Sequence, residues 1–165
     1  MIVVADTAPI ISLLKINRLD LLKELFEIIF IPEAVYNELT HNEKYELEAQ
    51  KIINSDFIHQ KKISNNEAVY ILENIISLDK GESEAIILFR ELQAQLLLID
   101  ERRGREVAEK FQIPISGTIG ILLKALDKNL LTTKQIFEYI DVFQQENRRF
   151  SPKLINLVRK HLNHE

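Results

Sequence analysis

The chain has 165 residues, of which 46% are hydrophobic and 28% charged, and this is enough for one domain with a substantial core. It contains no cysteine, which excludes disulfide scaffolds, thiolate zinc sites and a cysteine nucleophile and favours a cytoplasmic location. The net charge of −4 counts against a protein that coats nucleic acid, and no apolar run approaches the roughly 20 residues of a membrane span, so we expect no membrane contact.

The first half of the chain alternates apolar runs with amphipathic stretches. Apolar runs this short and continuous are typical of strands buried in a parallel sheet. The elements predicted here are a strand over 2–5, helices over 9–14 and 19–26, a strand over 28–31, helices after Pro32 and over 42–54, and an extended segment over 57–63.

The second half opens with two capping signals, at 64–67 and 79–82, which are typical of helix starts. Because strands alternate with helices, the predicted class is α/β with a short parallel sheet. We expect a single domain over 1–165, with the helices after about 130 packed on the rest. The elements predicted here are helices from 64 to about 78 and from 79 to about 93, a strand over 96–99, a helix over 102–111, an edge strand over 113–115, and helices over 117–128, 132–146 and 152–162.

Acidic residues stand where two of the predicted strands end. Asp6 follows the first strand and Asp100 follows the strand over 96–99, while Glu38 and Glu84 lie in helices between them. Open α/β sheets bind ligands at the carboxyl ends of their strands. Carboxylates gathered there repel one another unless they share protons or hold a cation. The pattern therefore predicts an acidic pocket that binds a hard divalent metal.

Each of these acids also has a structural interpretation. Asp6 and Asp100 could instead cap the helices that follow them, since aspartate is a preferred N-cap residue. Glu38 could be a solvated glutamate at the edge of its helix, although its neighbours predict a largely buried face. Finding two acids at strand ends in one small domain favours the functional interpretation for both.

Glu82 and Glu84 open the same predicted helix, two residues apart, so only one of them is expected to face a given pocket. Glu82 has a structural role in the capping box with Asp79. Glu84 is therefore the preferred third acid, and Glu82 is a weaker candidate. Glu101, beside Asp100, is a second weaker candidate.

Five stretches of the chain together resemble the PIN-domain nucleases, most closely the VapC-like toxins in a branch of predicted nucleic-acid-binding proteins. They span nearly the first 130 residues in the expected order. The resemblance implies a three-layer PIN-like α/β fold, with a short parallel sheet flanked by helices. The stretches are 3–10, 31–39, 81–86, 97–105 and 116–122.

The resemblance implies an endoribonuclease that hydrolyses RNA phosphodiester bonds with Mg²⁺ or Mn²⁺. Asp6, Glu38 and Asp100 match acids of the family by position, as catalytic residues and metal ligands. The family usually has an aspartate where this chain has Glu82 and Glu84, so the third acid is open between them. The resemblance also implies hydroxyl groups that line the pocket at Thr7 and Thr118. Three arginines after Asp100 could contact the RNA backbone, or could equally be solvated charges at a helix start: Arg102, Arg103 and Arg105.

Toxins of this group usually pair with an antitoxin protein, and a homodimer is common among them. The expected partners are therefore RNA, an antitoxin and a second copy of the chain. The alternative is a PIN-like module that has lost catalysis and serves in nucleic-acid binding or assembly. A phosphatase-like hydrolase is disfavoured because Ala8 stands where an aspartyl nucleophile would need its second acid.

Overall fold

The computed structural model describes residues 1–146 and 150–163. Within them lie five strands: β1 (Val3–Ala5), β2 (Ile29–Pro32), β3 (Ile58–Lys61), β4 (Leu96–Leu98) and β5 (Ile115–Ser116). The helices are α1 (Thr7–Lys15), α2 (Asp20–Phe26), α3 (Glu33–Thr40), α4 (Glu46–Ile53), α5 (Asn66–Asn74), α6 (Lys80–Glu91), α7 (Arg102–Lys110), α8 (Thr118–Asp127), α9 (Thr133–Gln145) and α10 (Pro152–Asn163).

The five strands form one sheet in the order β3-β2-β1-β4-β5, and every neighbouring pair is parallel. This confirms the predicted α/β class. The chain builds outward from β1 to β3 and then returns to the other side of β1 with β4, so the topological switch lies between β1 and β4. Ligand crevices form outside the carboxyl ends of strands at such a switch.

The centre of the sheet is buried on both faces. Val3, Val4 and Ala5 of β1 are fully buried, as are Leu97 and Leu98 of β4. The prediction that these continuous apolar runs form buried strands is therefore confirmed. Past the end of β1, the backbone N–H of Asp6 donates to the carbonyl of Leu98 (2.9 Å), which holds Asp6 at the switch.

Two predicted helices have different limits in the structure. The N-cap of α5 is Asn65, whose side chain accepts from Ala68 N (3.0 Å), and the helix ends at Asn74 rather than near residue 78. Ser77 adopts a left-handed backbone with φ of 65°, which an α-helix does not allow. In the charged stretch after α3, a 3-10 segment (Glu43–Tyr45) precedes α4, so the continuous helix predicted over 42–54 is wrong.

The predicted edge strand near residue 114 is shifted by the proline. Pro114 has no N–H to donate, but its carbonyl accepts from Leu97 N (2.9 Å). The strand β5 therefore begins at Ile115.

The chain as a whole divides into two compact units, Met1–Thr118 and Ile119–Glu165. The single domain over 1–165 stays a prediction.

None of the helices in the described ranges, 1–146 and 150–163, has the length and apolar character that crossing a membrane requires.

Candidate active site

A cavity of about 410 Å³ in the first unit holds most of the acids of interest. It opens beside the end of β1 and the first turns of α6 and α7. Five of its lining residues are acidic and one is an arginine. The lining residues are Asp6, Thr7, Ala8, Ile11, Glu38, Ser77, Asp79, Glu82, Glu101 and Arg103.

Asp6 occupies the N-cap position of α1 but does not cap it. Its side chain makes no capping hydrogen bond, although the backbone angles (φ −83°, ψ 173°) are those of an N-cap residue. The residue is 4% exposed and lines the cavity. The structural interpretation of Asp6 as a helix cap is therefore wrong, and its carboxylate faces the other acids instead.

Three carboxylates from three different elements converge above Gly81 in the first turn of α6. A Cβ atom built on Gly81 would lie 2.7 Å from Glu38 Oε1, 3.3 Å from Asp6 Oδ1 and 3.5 Å from Asp79 Oδ1. The absence of a side chain at Gly81 lets these oxygens approach the helix backbone. Glu38 belongs to α3, and it is exposed rather than buried as expected, so it lies at the cavity rim.

The electrostatics of these acids reflect burial and like charge. Burial raises the pKa of Asp6 to about 7, Thr7 N–H opposes the rise, and the nearby carboxylates of Asp79, Glu82 and Glu38 add to it. Although Glu38 is exposed as a residue, its carboxylate at the cavity rim is partly withdrawn from water, and this raises its pKa first, with the charge of Asp79 adding to the rise. The repulsion between these carboxylates is the part of the rise that a bound cation would offset.

Asp79 and Glu82 form the predicted capping box of α6. Asp79 Oδ1 accepts from Glu82 N (2.7 Å), and Glu82 Oε2 accepts from Asp79 N (3.1 Å). Glu82 is 5% exposed, and its other oxygen lies against Gly104 in the first turn of α7. Burial raises the pKa of Glu82, and the charges of Asp79 and Glu101 raise it further.

Glu84 does not line the cavity. It is 7% exposed, and its Oε2 accepts a hydrogen bond of 2.8 Å from the backbone N–H of Ala34 in α3. The two glutamates of this helix do point different ways, as expected, but it is Glu82 that faces the cavity. Glu82 both belongs to the capping box of α6 and lines the cavity, because the first turn of α6 is itself part of the cavity wall.

Asp100 lies half-buried after β4, and it is not among the lining residues. Its carboxylate accepts from Thr118 N (2.7 Å) and from the Thr118 hydroxyl (2.5 Å). The N-cap of α7, the helix that follows, is Glu101, so Asp100 is not the cap of that helix. The two predicted residues Asp100 and Thr118 therefore meet each other.

The three predicted RNA-binding arginines separate in the structure. Arg103 lines the cavity and donates to the carbonyl of Ile76 (2.8 Å). Arg102 is largely exposed and pairs with Glu106 (2.9 Å). Arg105 donates to the carbonyl of Ile99 (2.8 Å). Of the three arginines, only Arg103 lines the cavity, so its guanidinium is the one that could contact a molecule bound there.

Thr7 supplies a buried hydroxyl at the cavity wall. The residue is 7% exposed, and its Oγ1 makes no well-formed hydrogen bond, although it is close enough to Glu38 to lower the pKa of that carboxyl.

Across residues 1–146 and 150–163, no three acidic or histidine side chains stand in a ready metal-binding arrangement. A cation would therefore have to draw the carboxylates around Gly81 inward.

Asp79 is the residue of this cluster that sequence reasoning misses. The sequence assigns it a capping role, which is correct, and gives no sign that the first turn of α6 meets the end of β1. The available signal is a pair of acids around a glycine at a helix start, at 79–82. Ser77, in its left-handed turn, is a second lining residue that no sequence pattern indicates.

Comparison with known proteins gives one informative match. The family model DUF3368, described as a PIN domain, matches residues 2–164, nearly the whole chain. A search of curated proteins gave no match.

Proposed function

The chain belongs to the PIN-domain family, whose members are generally nucleases, and on that premise we propose that it is a metal-dependent endoribonuclease. The observation that carries the proposal is the convergence of the Asp6, Glu38 and Asp79 oxygens above Gly81. Gathering like charges in a partly enclosed cavity raises the free energy of the fold unless a cation or proton offsets it.

The donor set fits Mg²⁺ or Mn²⁺, because hard cations prefer carboxylate oxygens. Asp6, Glu38 and Asp79 would hold the ion, with Glu82 beside them. The buried hydroxyl of Thr7 lies beside Glu38 and adds a polar group at this point of the wall. Such an ion, when bound, supplies a Lewis acid for the phosphate and lowers the pKa of a bound water. Asp100 stays a predicted ligand, while the position of Glu84 gives its ligand role no support.

The other residues of the cavity suit a phosphodiester substrate. Arg103 lines the cavity, and its guanidinium is the kind of group that contacts backbone phosphates. With a net charge of −4, the chain attracts RNA poorly as a whole, so engagement depends on this local site. Water would attack the phosphorus in line, leaving a 5′-phosphate and a 3′-hydroxyl.

We also propose the finer assignment that the five resembling stretches imply. The protein would act in the cytoplasm as a VapC-like toxin on RNA, as a homodimer whose activity an antitoxin controls. The support is the sequence resemblance, together with a family match that extends over residues 2–164.

The test is cleavage of a pool of labelled RNAs in the presence of Mn²⁺, Mg²⁺ or EDTA. We expect cleavage with either metal and none with EDTA. Asp6→Asn should lose more than the roughly 10- to 100-fold that changes around a metal site typically cost. Gly81→Ala removes no carboxylate, but its methyl group would lie 2.7 Å from Glu38 Oε1, so the Glu38 carboxylate would have to move away from Asp6 and Asp79, and the variant should also lose most of the activity.

Lys80→Ala is the matched control, since Lys80 is exposed and lies in the same turn of α6. It should cleave like the wild type. Metal-dependent cleavage that persists in both Asp6→Asn and Gly81→Ala would contradict the site. Absence of both cleavage and Mn²⁺ binding in the wild type would instead favour a PIN-like module that binds nucleic acid or another protein without catalysis.

A further inference from the structure

Glu84 connects two helices of the first unit through a buried hydrogen bond. Its Oε2 accepts from Ala34 N at 2.8 Å, and the residue is 7% exposed. Ala34 lies in the first turn of α3, where backbone N–H groups have no partner within the helix. Pro32, the N-cap residue of α3, gives no side-chain cap. Glu84 therefore satisfies a buried donor that α3 cannot satisfy itself.

The same two helices meet a second time, one turn nearer the C-terminus of α3 and one turn nearer the N-terminus of α6. Glu38 lies four residues after Ala34 on α3, and Gly81 lies three residues before Glu84 on α6, so both pairs share a helix face. At this second point, Glu38 Oε1 lies 2.7 Å from the position of a Cβ on Gly81. The bond to Ala34 thus lies one helical turn from the point where Glu38 reaches the cavity.

We infer that Glu84 is a positioning residue, which holds the first turn of α3 so that Glu38 faces Asp6 across Gly81. This inference rests on the proposed function for its consequence, metal binding, but its structural part can be measured in the metal-free protein. It also explains why a glutamate is buried beside the acidic cavity without entering it.

The experiment compares Glu84→Asp, Glu84→Gln and Glu84→Ala with wild type by two readouts. The first is NMR of the metal-free protein, following hydrogen exchange at the Ala34 amide and the chemical shift of the Gly81 amide. The second is Mn²⁺ affinity by calorimetry. Glu91→Ala is the control, because Glu91 lies on the same helix and accepts from Ser64 N (2.9 Å) and Asn65 N (2.8 Å) before α5, a helix that contributes no acid to the cavity lining.

Aspartate is one methylene too short to reach Ala34, so Glu84→Asp should speed exchange at Ala34, shift the Gly81 amide and weaken Mn²⁺ binding about 10-fold. Glu84→Ala should do the same, and if it does not fold, Glu84→Asp carries the test. Glutamine keeps an acceptor oxygen at the same reach, so Glu84→Gln should leave both the NMR readout and the Mn²⁺ affinity as in wild type. Glu91→Ala should lower the melting temperature without changing either.

The inference is overturned if Glu84→Asp lowers the melting temperature but leaves the Gly81 amide shift and the Mn²⁺ affinity as in wild type. That result would make Glu84 an ordinary stabilising contact. A wild-type protein that binds no Mn²⁺ would defeat the proposed function, whereas the Gly81 amide shift would still decide whether Glu84 positions α3.

Discussion

Asp6 combines two environments that rarely meet in one side chain. Its backbone continues a strand with fully buried neighbours, and its carboxylate faces Glu38, Asp79 and Glu82. Burial is the larger cause of its raised pKa of about 7, and like charge is the smaller. In the absence of a cation, the folded protein therefore binds a proton at Asp6 at pH values where the unfolded chain has released it.

This linkage predicts a pH-dependent effect of Asp6→Asn on stability. An acid with a raised pKa in the folded state makes the metal-free protein lose stability as pH rises from about 4 to about 7, with the full loss present above about 7. Asparagine does not ionise, so Asp6→Asn should increase the free energy of unfolding above about pH 7. The increase should reach at most about 1.4 kcal/mol for each pH unit that separates the folded from the unfolded pKa. Near pH 4 the two proteins should differ little, and urea unfolding in EDTA across this range is the measurement.

Asp56→Asn is the control for the sign. Asp56 is exposed, and its hydrogen-bonded partner Lys23 lowers the pKa of its carboxyl. Any contribution of the Asp56 carboxylate to stability is present at neutral pH and is lost as pH falls. This pH dependence is opposite to the one expected for Asp6. If the Asp6→Asn and wild-type curves ran parallel across the whole range, the carboxyl of Asp6 would have an ordinary pKa and the predicted linkage would be wrong.

At the scale of elements, α6 carries acidic side chains that accept hydrogen bonds from N–H groups in other parts of the chain. Glu84 accepts from the first turn of α3, and Glu91 accepts from the residues that precede α5. Asp79 and Glu82 satisfy the first turn of α6 itself. Helix starts carry unpaired donors, and the buried carboxylate of Glu84 satisfies one of them in α3, whereas the exposed carboxylate of Glu91 accepts from the residues before α5.

Asp79 has two roles in this arrangement, and two substitutions separate them. Asp79→Ala removes both the cap of α6 and a carboxylate, so it should lower stability by about 1 kcal/mol and weaken Mn²⁺ binding. Asp79→Asn keeps a good N-cap side chain without the charge, so it should retain stability and still weaken Mn²⁺ binding. Thermal unfolding in EDTA and calorimetric titration with Mn²⁺ give the two quantities. Mn²⁺ affinity that survives in Asp79→Asn would leave Asp79 a cap and nothing more.

Local patterns in the sequence predicted some elements well and others poorly, for physical reasons. The capping box of α6 depends on contacts within one turn, and it is confirmed. The end of α5 depends on Ser77, whose left-handed backbone no local pattern indicates. The choice between Glu82 and Glu84 depends on which side of α6 faces the end of β1. That rotation is set by packing between distant elements, so the sequence alone favoured the wrong one for the cavity.

At the scale of the whole molecule, the predicted class follows from the alternation of apolar strands with helices, and the family match over 2–164 agrees with it. The strand order β3-β2-β1-β4-β5 then brings the end of β1 to the topological switch. Asp6 could be singled out from the sequence because it directly follows the first apolar run, where a buried strand is expected to end. Asp100 also follows a central strand, but its carboxylate is held by Thr118, a contact between residues 18 positions apart that strand periodicity does not encode.

The charge of the cavity predicts how the whole molecule should respond to a divalent cation. A ligand that binds the folded chain alone stabilises it by about 2.7 kcal/mol at 100 times its dissociation constant, which corresponds to roughly 5–10 °C for a chain of this size. Mn²⁺ needs ionised carboxylates, and the pKa of Asp6 is about 7, so the rise in melting temperature should be larger near pH 8 than near pH 5. Scanning calorimetry with Mn²⁺ or EDTA at both pH values measures it.

Asp6→Asn should abolish most of that rise, and Lys80→Ala should preserve it. The pH dependence is what distinguishes the site from weak binding to surface acids, because exposed carboxylates are already ionised at pH 5 and would give the same rise at both values. An equal rise at the two pH values, or one that Asp6→Asn retains, would place Mn²⁺ elsewhere on the chain. A rise confined to higher pH and lost in Asp6→Asn would tie the metal to the carboxylates around Gly81.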